Sequence, residues 1–173
     1  MAKAALKDLI RSIPDFPSPG IVFRDITTVL KDPKGLALAM DALEESLQGA
    51  DFDLVLGPES RGFIFGVPLA CRLGKGFVPA RKIGKLPAAT ARKSYALEYG
   101  SAEIEIHRDA IQPGQRVVII DDLLATGGTA RATAELAEEL GATVVALCFL
   151  IELEALAGRS VLDGYRVESV LQY

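Results

Sequence analysis

The stretch VVIIDDLLATGGTA, residues 117–130, combines a strand pattern, two adjacent acids and a glycine turn. Its first four residues are β-branched and apolar on both faces, which is typical of a central strand in a parallel sheet. The turn leads directly into a helical pattern at residues 129–140, with Gly141 at its C-terminal end. We therefore predict a strand–loop–helix unit, the basic element of an open α/β sheet.

The same alternation runs through the rest of the chain. Strand patterns are found at residues 53–56, 76–80 and 143–151, and helical patterns at residues 2–11, 35–48 and 63–73. Strands that alternate with helices predict an open, mostly parallel sheet flanked by helices. The length of 173 residues fits a single domain that spans residues 1–173.

Residues 82–107 interrupt the alternation. The basic segment RKIGKLPAATARK predicts an exposed, mobile loop, and SYALEY and AEIEIH predict two strands around a tight Gly-Ser turn. In the second strand Glu103, Glu105 and His107 alternate with apolar residues, so we expect them on a solvated face. Insertions of this length commonly form lids or binding elements, and we expect no catalytic part for His107.

The composition limits the classes of function. Half of the residues are hydrophobic and the formal net charge is −4, which favours a globular fold and disfavours nucleic acid as a partner. The charged N-terminal segment does not resemble a signal peptide, and no apolar run is long enough for a membrane span. We expect a cytoplasmic protein in which Cys71 and Cys148 are buried and reduced.

The turn after the strand predicts a phosphate site. In open α/β sheets ligands bind beyond the carboxyl ends of the strands, and the N–H groups at a helix N-terminus favour an anion. The turn has neither the lysine of a P-loop nor the Gly-x-Gly-x-x-Gly signature, so we expect it to bind a single phosphate. The residues assigned to this phosphate are Ala125, Thr126, Gly127, Gly128 and Thr129.

The adjacent carboxylates of Asp121 and Asp122 indicate a sugar. Neighbouring ribose hydroxyls are hydrogen-bond donors that carboxylates accept. A Mg²⁺ ion near both acids, bound through substrate and water, would further neutralise the pair. The sequence thus predicts a site for a phosphorylated ribose, and it does not distinguish adenine from another base.

Five segments in this order resemble one known family. PDFPSPGIVFRDIT, ESRGFIFG, RKIGKLP, SYALEYG and VVIIDDLLATGGT are similar to motifs of type I phosphoribosyltransferases, in the branch that acts on adenine. The similarity covers roughly residues 8–173. It implies a Mg²⁺-dependent homodimer that forms AMP and pyrophosphate from adenine and 5-phosphoribosyl 1-pyrophosphate (PRPP), through an oxocarbenium-like transition state.

The resemblance also implies roles for individual residues. The pyrophosphate residues would be Glu59, Ser60, Arg61, Arg81 and Lys85, with a cis peptide between Glu59 and Ser60 and one basic residue reaching across the dimer. The adenine residues would be Val22, Phe23, Arg24 and Leu153, in a hood made of residues 1–34 and 150–160. We place Arg61 in the loop after its strand, as the first candidate for the pyrophosphate charge.

Glu98 is the candidate for managing the proton of the base. It lies in the predicted lid, residues 82–107, where closure would bring it over the base and exclude water. Tyr99 beside it would hydrogen-bond within the closed lid. Whether Glu98 acts as a base or as a positioner stays open at this point.

Three alternatives remain at the level of sequence. The first is a transferase for guanine, hypoxanthine or xanthine. The second is a regulator that senses PRPP and binds nucleic acid, which the negative charge disfavours. The third is a module that binds a sugar phosphate without catalysis.

Overall fold

A computed structural model describes residues 2–96 and 101–173. Within them, seven strands form one sheet in the order β5-β6-β4-β3-β7-β8-β9, and β1 and β2 form a separate antiparallel pair. The strands are β1 (Arg11–Pro14), β2 (Val22–Asp25), β3 (Leu54–Pro58), β4 (Gly76–Lys82), β5 (Thr90–Ala96), β6 (Ser101–His107), β7 (Arg116–Leu124), β8 (Thr143–Glu152) and β9 (Val167–Gln172). Pairs among β4, β3, β7, β8 and β9 are parallel, whereas β6 pairs antiparallel with β4 and β5.

Helices cover both faces of this sheet. They are α1 (Ala2–Leu9), α2 (Thr27–Leu30), α3 (Pro33–Ser46), α4 (Arg61–Arg72), α5 (Gly128–Glu139) and α6 (Gly158–Val161), with a 3₁₀ turn at Glu154–Leu156. The open, mostly parallel sheet with an inserted antiparallel hairpin confirms the predicted fold class.

The core lies on the two faces of the central strands. Along β7, Val118 and Ile120 enter the layer under α1, α3 and α4, while Val117 and Ile119 enter the layer under α5. All four side chains have no solvent exposure. Because side chains alternate across a strand, a run of four apolar residues is needed when both faces are covered.

Local signals fix several helix ends. Asp32 caps α3 by accepting hydrogen bonds from the N–H groups of Lys34 and Gly35, and Pro33 occupies the first turn. Gly141 has a φ of +92° just after α5, which confirms it as the terminating glycine. The predicted first helix is too long, since α1 ends at Leu9 and residues 11–14 form a strand.

The hairpin differs from its prediction in two respects. The loop before it is shorter than predicted, because β4 continues through Arg81 and Lys82 and β5 already begins at Thr90. Glu105 is buried, not solvated, because residues 85–92 fold over it and surround its carboxylate with donors. Part of the predicted first strand, residues 97–100, lies outside the described residues.

Two further expectations are wrong. Cys71 is exposed on the outward side of α4, although Cys148 in β8 is buried as predicted. Arg61 is the first residue of α4 rather than a loop residue.

No helix in the described parts of the chain combines the length and the apolar character that a membrane span requires.

Candidate active site

The site lies where three parallel strands end. β3, β4 and β7 are neighbours, and their carboxyl ends bring Glu59, Lys82 and Asp121 to one edge of the sheet. The N–H of Glu59 donates to the carbonyl of Ala80 at 2.8 Å, which joins the segment after β3 to the end of β4. This edge is where ligands bind in open α/β folds.

A polar cavity of about 400 Å³ opens at this edge. Its lining consists of Glu59, Ser60, Arg61, Lys82, Asp121, Asp122, Leu123, Leu124, Ala125, Thr126, Gly127, Gly128, Thr129 and Ala130. The cavity therefore brings together all the residues predicted for the phosphate and the ribose, and three of the five predicted for the pyrophosphate.

The predicted phosphate loop, residues 125–129, is shaped by close backbone packing. Gly127 has a φ of +84°, a conformation that favours glycine, and α5 begins at the next residue. The N–H groups of the first turn have no partner within the helix, so they are free to bind an anion. Behind the loop, a Cβ added to Gly158 would lie 2.1 Å from the carbonyl oxygen of Ala125, which shows how closely α6 supports it.

The two acids have different environments. Asp122 is buried and pairs with Arg61, Nε to Oδ2 at 2.5 Å. Burial and the neighbouring charge of Asp122 raise the pKa of Asp121 well above its usual value, although its Oδ1 accepts the N–H of Asp122 at 2.9 Å. Asp121 is thus the acid that gains most from a hydrogen-bond donor or a cation.

A second cavity of about 200 Å³ adjoins the first and is mainly apolar. Its lining consists of Ile21, Val22, Phe23, Arg24, Asp25, Ile26, Thr27, Arg61, Asp122, Leu123, Ile151 and Leu153. The four residues predicted for the base are all present. The ring of Phe23 packs edge-on against Phe16, with 5.3 Å between centroids.

Three residues, Arg61, Asp122 and Leu123, line both cavities. The Arg61–Asp122 ion pair therefore stands at the junction of the polar cavity and the apolar cavity. A ligand with a sugar phosphate in one and a flat base in the other would have its connecting bond beside this pair.

Arg81 and Lys85 are placed outside the lining of the polar cavity. Arg81 pairs with Glu59, Nε to Oε2 at 3.1 Å, and donates through Nη1 to the carbonyl of Lys85 at 3.2 Å. The peptide between Glu59 and Ser60 is cis, as the resemblance implied. Glu98 and Tyr99 lie outside the described residues, so their assigned roles stay predictions.

Several residues that line the two cavities had no predicted role. Lys82 carries the second cation of the polar cavity, and it was considered only as part of a basic loop. Asp25 lines the apolar cavity, and hydrogen bonds from Arg11 and Thr27 lower its pKa to about 2. The strand pattern of residues 76–80 ends just before Lys82, so it could have shown that Lys82 lies at the carboxyl edge of the sheet. Gly158, which packs behind residues 125–129 without lining a cavity, has no local signal in the sequence.

The described residues contain no cluster of three or more metal-binding side chains. The donor set at the polar cavity is instead a pair of carboxylates, Asp121 and Asp122, next to an anion loop. Mg²⁺ usually binds through one or two carboxylates together with substrate phosphates and water. The residues present therefore fit Mg²⁺ that arrives with a phosphorylated substrate.

Together, a parallel sheet, an acid pair and a single-phosphate loop define a class of protein that handles phosphorylated ribose. The family model of the phosphoribosyl transferase domain matches residues 25–170. The chain belongs to this family.

Within the family, the chain is similar to several adenine phosphoribosyltransferases. A curated adenine phosphoribosyltransferase from Lachnoclostridium phytofermentans is 58% identical over 97% of both chains. The crystal structure of the Thermoanaerobacter pseudethanolicus adenine phosphoribosyltransferase is 55% identical, with a TM-score of 0.96 over 99% of both chains. The Saccharomyces cerevisiae enzyme, solved with an imino-altritol bisphosphate and adenine, is 42% identical, with a TM-score of 0.92 over 98% of both chains.

Proposed function

We propose that this protein transfers the 5-phosphoribosyl group of PRPP to adenine, giving AMP and pyrophosphate. The observation that carries the proposal is the pair of adjoining cavities, one polar beside residues 125–129 and one mainly apolar, which share Arg61 and Asp122. High identity over nearly the whole chain to proteins named adenine phosphoribosyltransferase supports the choice of base.

The polar cavity holds PRPP in this proposal. Residues 125–129 bind the 5-phosphate through backbone N–H groups and threonine hydroxyls. Asp121 and Asp122 accept the ribose hydroxyls. Arg61 and Lys82 face the pyrophosphate, and their positive charges stabilise it as it leaves.

The apolar cavity holds adenine. Phe23 and Leu153 enclose the ring, and main-chain groups of Val22 and Arg24 read its edge. N9 attacks C1′ while the bond from C1′ to the pyrophosphate oxygen breaks, and the bonding electrons leave with the pyrophosphate. Glu98 accepts or shares the proton that the base releases.

Mg²⁺ bound with PRPP would neutralise charge on the pyrophosphate. Asp121 and Asp122 would lie near the ion and contact it through substrate and water.

We also propose a homodimer. Supporting it, α4 presents an apolar surface to solvent, here called the α4 outer face, made of Ile64, Val67, Pro68 and Cys71. Light scattering should give twice the chain mass for the native protein, and Val67→Glu should shift it to the monomer. The exposed free thiol of Cys71 supports a reducing, cytoplasmic setting.

The deciding experiment is a purine panel with PRPP and Mg²⁺. Adenine should give AMP and pyrophosphate, while guanine, hypoxanthine and xanthine should react at least about a hundredfold more slowly, because a site that hydrogen-bonds the base edge rejects mismatched donors. A preference for another purine would reassign the substrate. PRPP binding without pyrophosphate release would leave only a binding module.

Glu98→Gln tests the proton role. We expect kcat to fall about a hundredfold with little change in the KM for PRPP, since general acid–base groups contribute on that order. Glu103, an exposed glutamate in β6, provides the control variant Glu103→Gln. Near-normal turnover of Glu98→Gln would remove the assignment.

A further inference from the structure

Glu105 is a buried carboxylate that the mechanism above does not use. It lies in β6 with 1% exposure, directly opposite Arg81 in the ladder between β4 and β6. The described lining of either cavity does not include it. A buried carboxylate needs hydrogen-bond donors or a cation, and the residues that supply them to Glu105 show which segment it holds.

All of its donors come from the segment that connects β4 to β5 or from the start of β5. The N–H groups of Lys85 and Leu86 donate to Oε1 at 2.9 and 3.0 Å. The hydroxyl of Thr90 donates to Oε2 at 3.1 Å, and Nε of Arg92 lies 3.4 Å from the same oxygen. The carboxylate thus anchors the connection at two N–H groups and the start of β5 at two side chains.

The anchored form is charged. Burial alone would raise the pKa of Glu105, but the N–H of Leu86, the hydroxyl of Thr90, the N–H of Lys85 and the charge of Arg92 together lower it. A charged acceptor makes stronger hydrogen bonds than a neutral one.

The anchor connects to the polar cavity through a short chain of contacts. The carbonyl of Lys85 accepts from Arg81 at 3.2 Å, and Arg81 holds Glu59 through Nε and Nη2 at 3.1 and 3.3 Å. Oε2 of Glu59 also accepts the N–H of Lys82 at 3.2 Å. Glu59 and Lys82 line the cavity at its proposed pyrophosphate end.

We infer that Glu105 is a positioning residue for the pyrophosphate end of the site. By fixing the backbone at Lys85 and Leu86, it holds Arg81 and Glu59 and thereby sets where the Lys82 ammonium stands. The inference rests on the proposed function, because it concerns the pyrophosphate of that reaction. It extends that function by giving the β4–β5 connection a buried anchor.

The test compares Glu105→Ala with Glu103→Ala in both reaction directions. Glu103 is two residues away on the same strand, but it is exposed and accepts only a hydroxyl from Ser94, at 2.9 Å, among the contacts of the described residues. For Glu105→Ala we expect the KM for pyrophosphate and for PRPP to rise about tenfold, since two buried N–H groups lose their acceptor. The KM for AMP and for adenine should change less than about twofold, and Glu103→Ala should match the wild type.

Glu105→Gln keeps the size of the side chain and one carbonyl oxygen, so it should restore most of the pyrophosphate affinity. If Glu105→Ala does not fold by circular dichroism, Glu105→Asp replaces it. Its shorter carboxylate should raise the KM for pyrophosphate at least about threefold.

Three results would overturn the inference: an unchanged pyrophosphate KM in the folded Ala or Asp variant, equal rises for all four substrates, or no rescue by Gln. A wild-type protein that does not convert adenine and PRPP to AMP would refute the proposed function instead. The two failures are therefore distinguishable.

Discussion

At the scale of single residues, the adjacent acids illustrate how strongly environment separates identical side chains. Asp122 is buried and paired with Arg61, whereas Asp121 lies half-buried at the polar cavity, where desolvation and the charge of Asp122 raise its pKa. The raised pKa of Asp121 means that this carboxylate binds a proton more tightly in the folded protein than in the unfolded chain. Stability is therefore lost as pH rises above the unfolded pKa of about 4, so the ionised carboxylate costs stability at neutral pH.

Asp121→Asn should therefore stabilise the protein while weakening its function. We expect the Tm at pH 7 to rise by roughly 2–4 °C, because the amide keeps the oxygen that accepts from Asp122 and removes the unfavourable charge. The KM for PRPP should rise about tenfold through the loss of a charged acceptor. Thermal scans and initial rates measure both effects.

The pH dependence and a neighbouring variant supply the controls. The gain in Tm from Asp121→Asn should vanish near pH 4, where the wild-type carboxyl is protonated in the folded state. Asp122→Asn should lower the Tm, since it breaks a buried pair. A lower Tm for Asp121→Asn at pH 7 would contradict the assigned cause.

Tyr95 gives a second prediction at this scale. Its hydroxyl accepts a hydrogen bond from Thr129 at 3.2 Å, and Thr129 lines the polar cavity. We expect Tyr95→Phe to raise the KM for PRPP about threefold without changing the KM for adenine, because the threonine hydroxyl loses a partner that orients it.

The chain offers a matched control for this change. Tyr165 donates to Glu138 at 2.9 Å, near the other end of α5. Tyr165→Phe also removes a tyrosine hydroxyl that is bonded to a side chain of α5, and it should leave both KM values unchanged. Equal effects of the two variants would show that Tyr95 acts only through stability.

At the scale of elements, α6 acts as a support for the phosphate loop. Arg159 fixes it to β8 through Glu152, with Nε to Oε1 at 3.0 Å and Nη2 to Oε2 at 2.6 Å. This brings the backbone of Gly158 against Ala125, at a distance that leaves no room for a side chain.

Gly158→Ala should displace the loop. An added Cβ would meet the carbonyl oxygen of Ala125 at 2.1 Å, so the two backbones must separate. We expect a loss of about 1–3 kcal/mol in the free energy of unfolding and a KM for PRPP that rises more than tenfold. Denaturant titration and steady-state kinetics measure these, with Ser160→Ala in the same helix as the control. Wild-type PRPP affinity in Gly158→Ala would refute the supporting role.

Structural features that depend on local sequence patterns could be predicted, whereas features that depend on long-range contacts could not. The β7 pattern, the acids and the glycine turn are local, and each follows from strand periodicity or helix-end chemistry, so residues 121, 122 and 125–129 of the polar cavity could be named from the sequence. Their roles stay predictions. The burial of Glu105 was missed because it depends on a connection that folds back from β4, and periodicity carries no information about such a contact. The short strand β1 was missed because its residues are largely exposed and have no regular alternation.

At the scale of the whole molecule, the two cavities belong to different parts of the fold and meet at one ion pair. The polar cavity is built by the carboxyl edge of the large sheet, and the apolar one largely by β2 and the end of β8. The roles proposed for the base-binding residues depend on the two cavities being adjacent. That adjacency arises from contacts between residues far apart in the sequence, so local patterns do not predict it.

PRPP should stabilise the whole fold, because its site joins β3, β4, β7 and α5. At about a hundredfold excess over Kd with Mg²⁺ present, we expect a rise in Tm of roughly 5–10 °C. Chelation of Mg²⁺ should reduce the shift, and ribose 5-phosphate should give a smaller one, since it lacks the pyrophosphate. An absence of any shift with PRPP would contradict the assignment of the polar cavity.

The exposed thiol on the α4 outer face has a practical consequence. Burial raises the pKa of Cys148 to about 12, so this thiol resists alkylation, and Cys71 is the other of the two cysteines in the chain. Because Cys71 lies on the surface proposed to join two copies, a partner chain would cover it in the dimer. Its reaction with a thiol reagent should therefore be slower in the native protein than in Val67→Glu, which is expected to be a monomer.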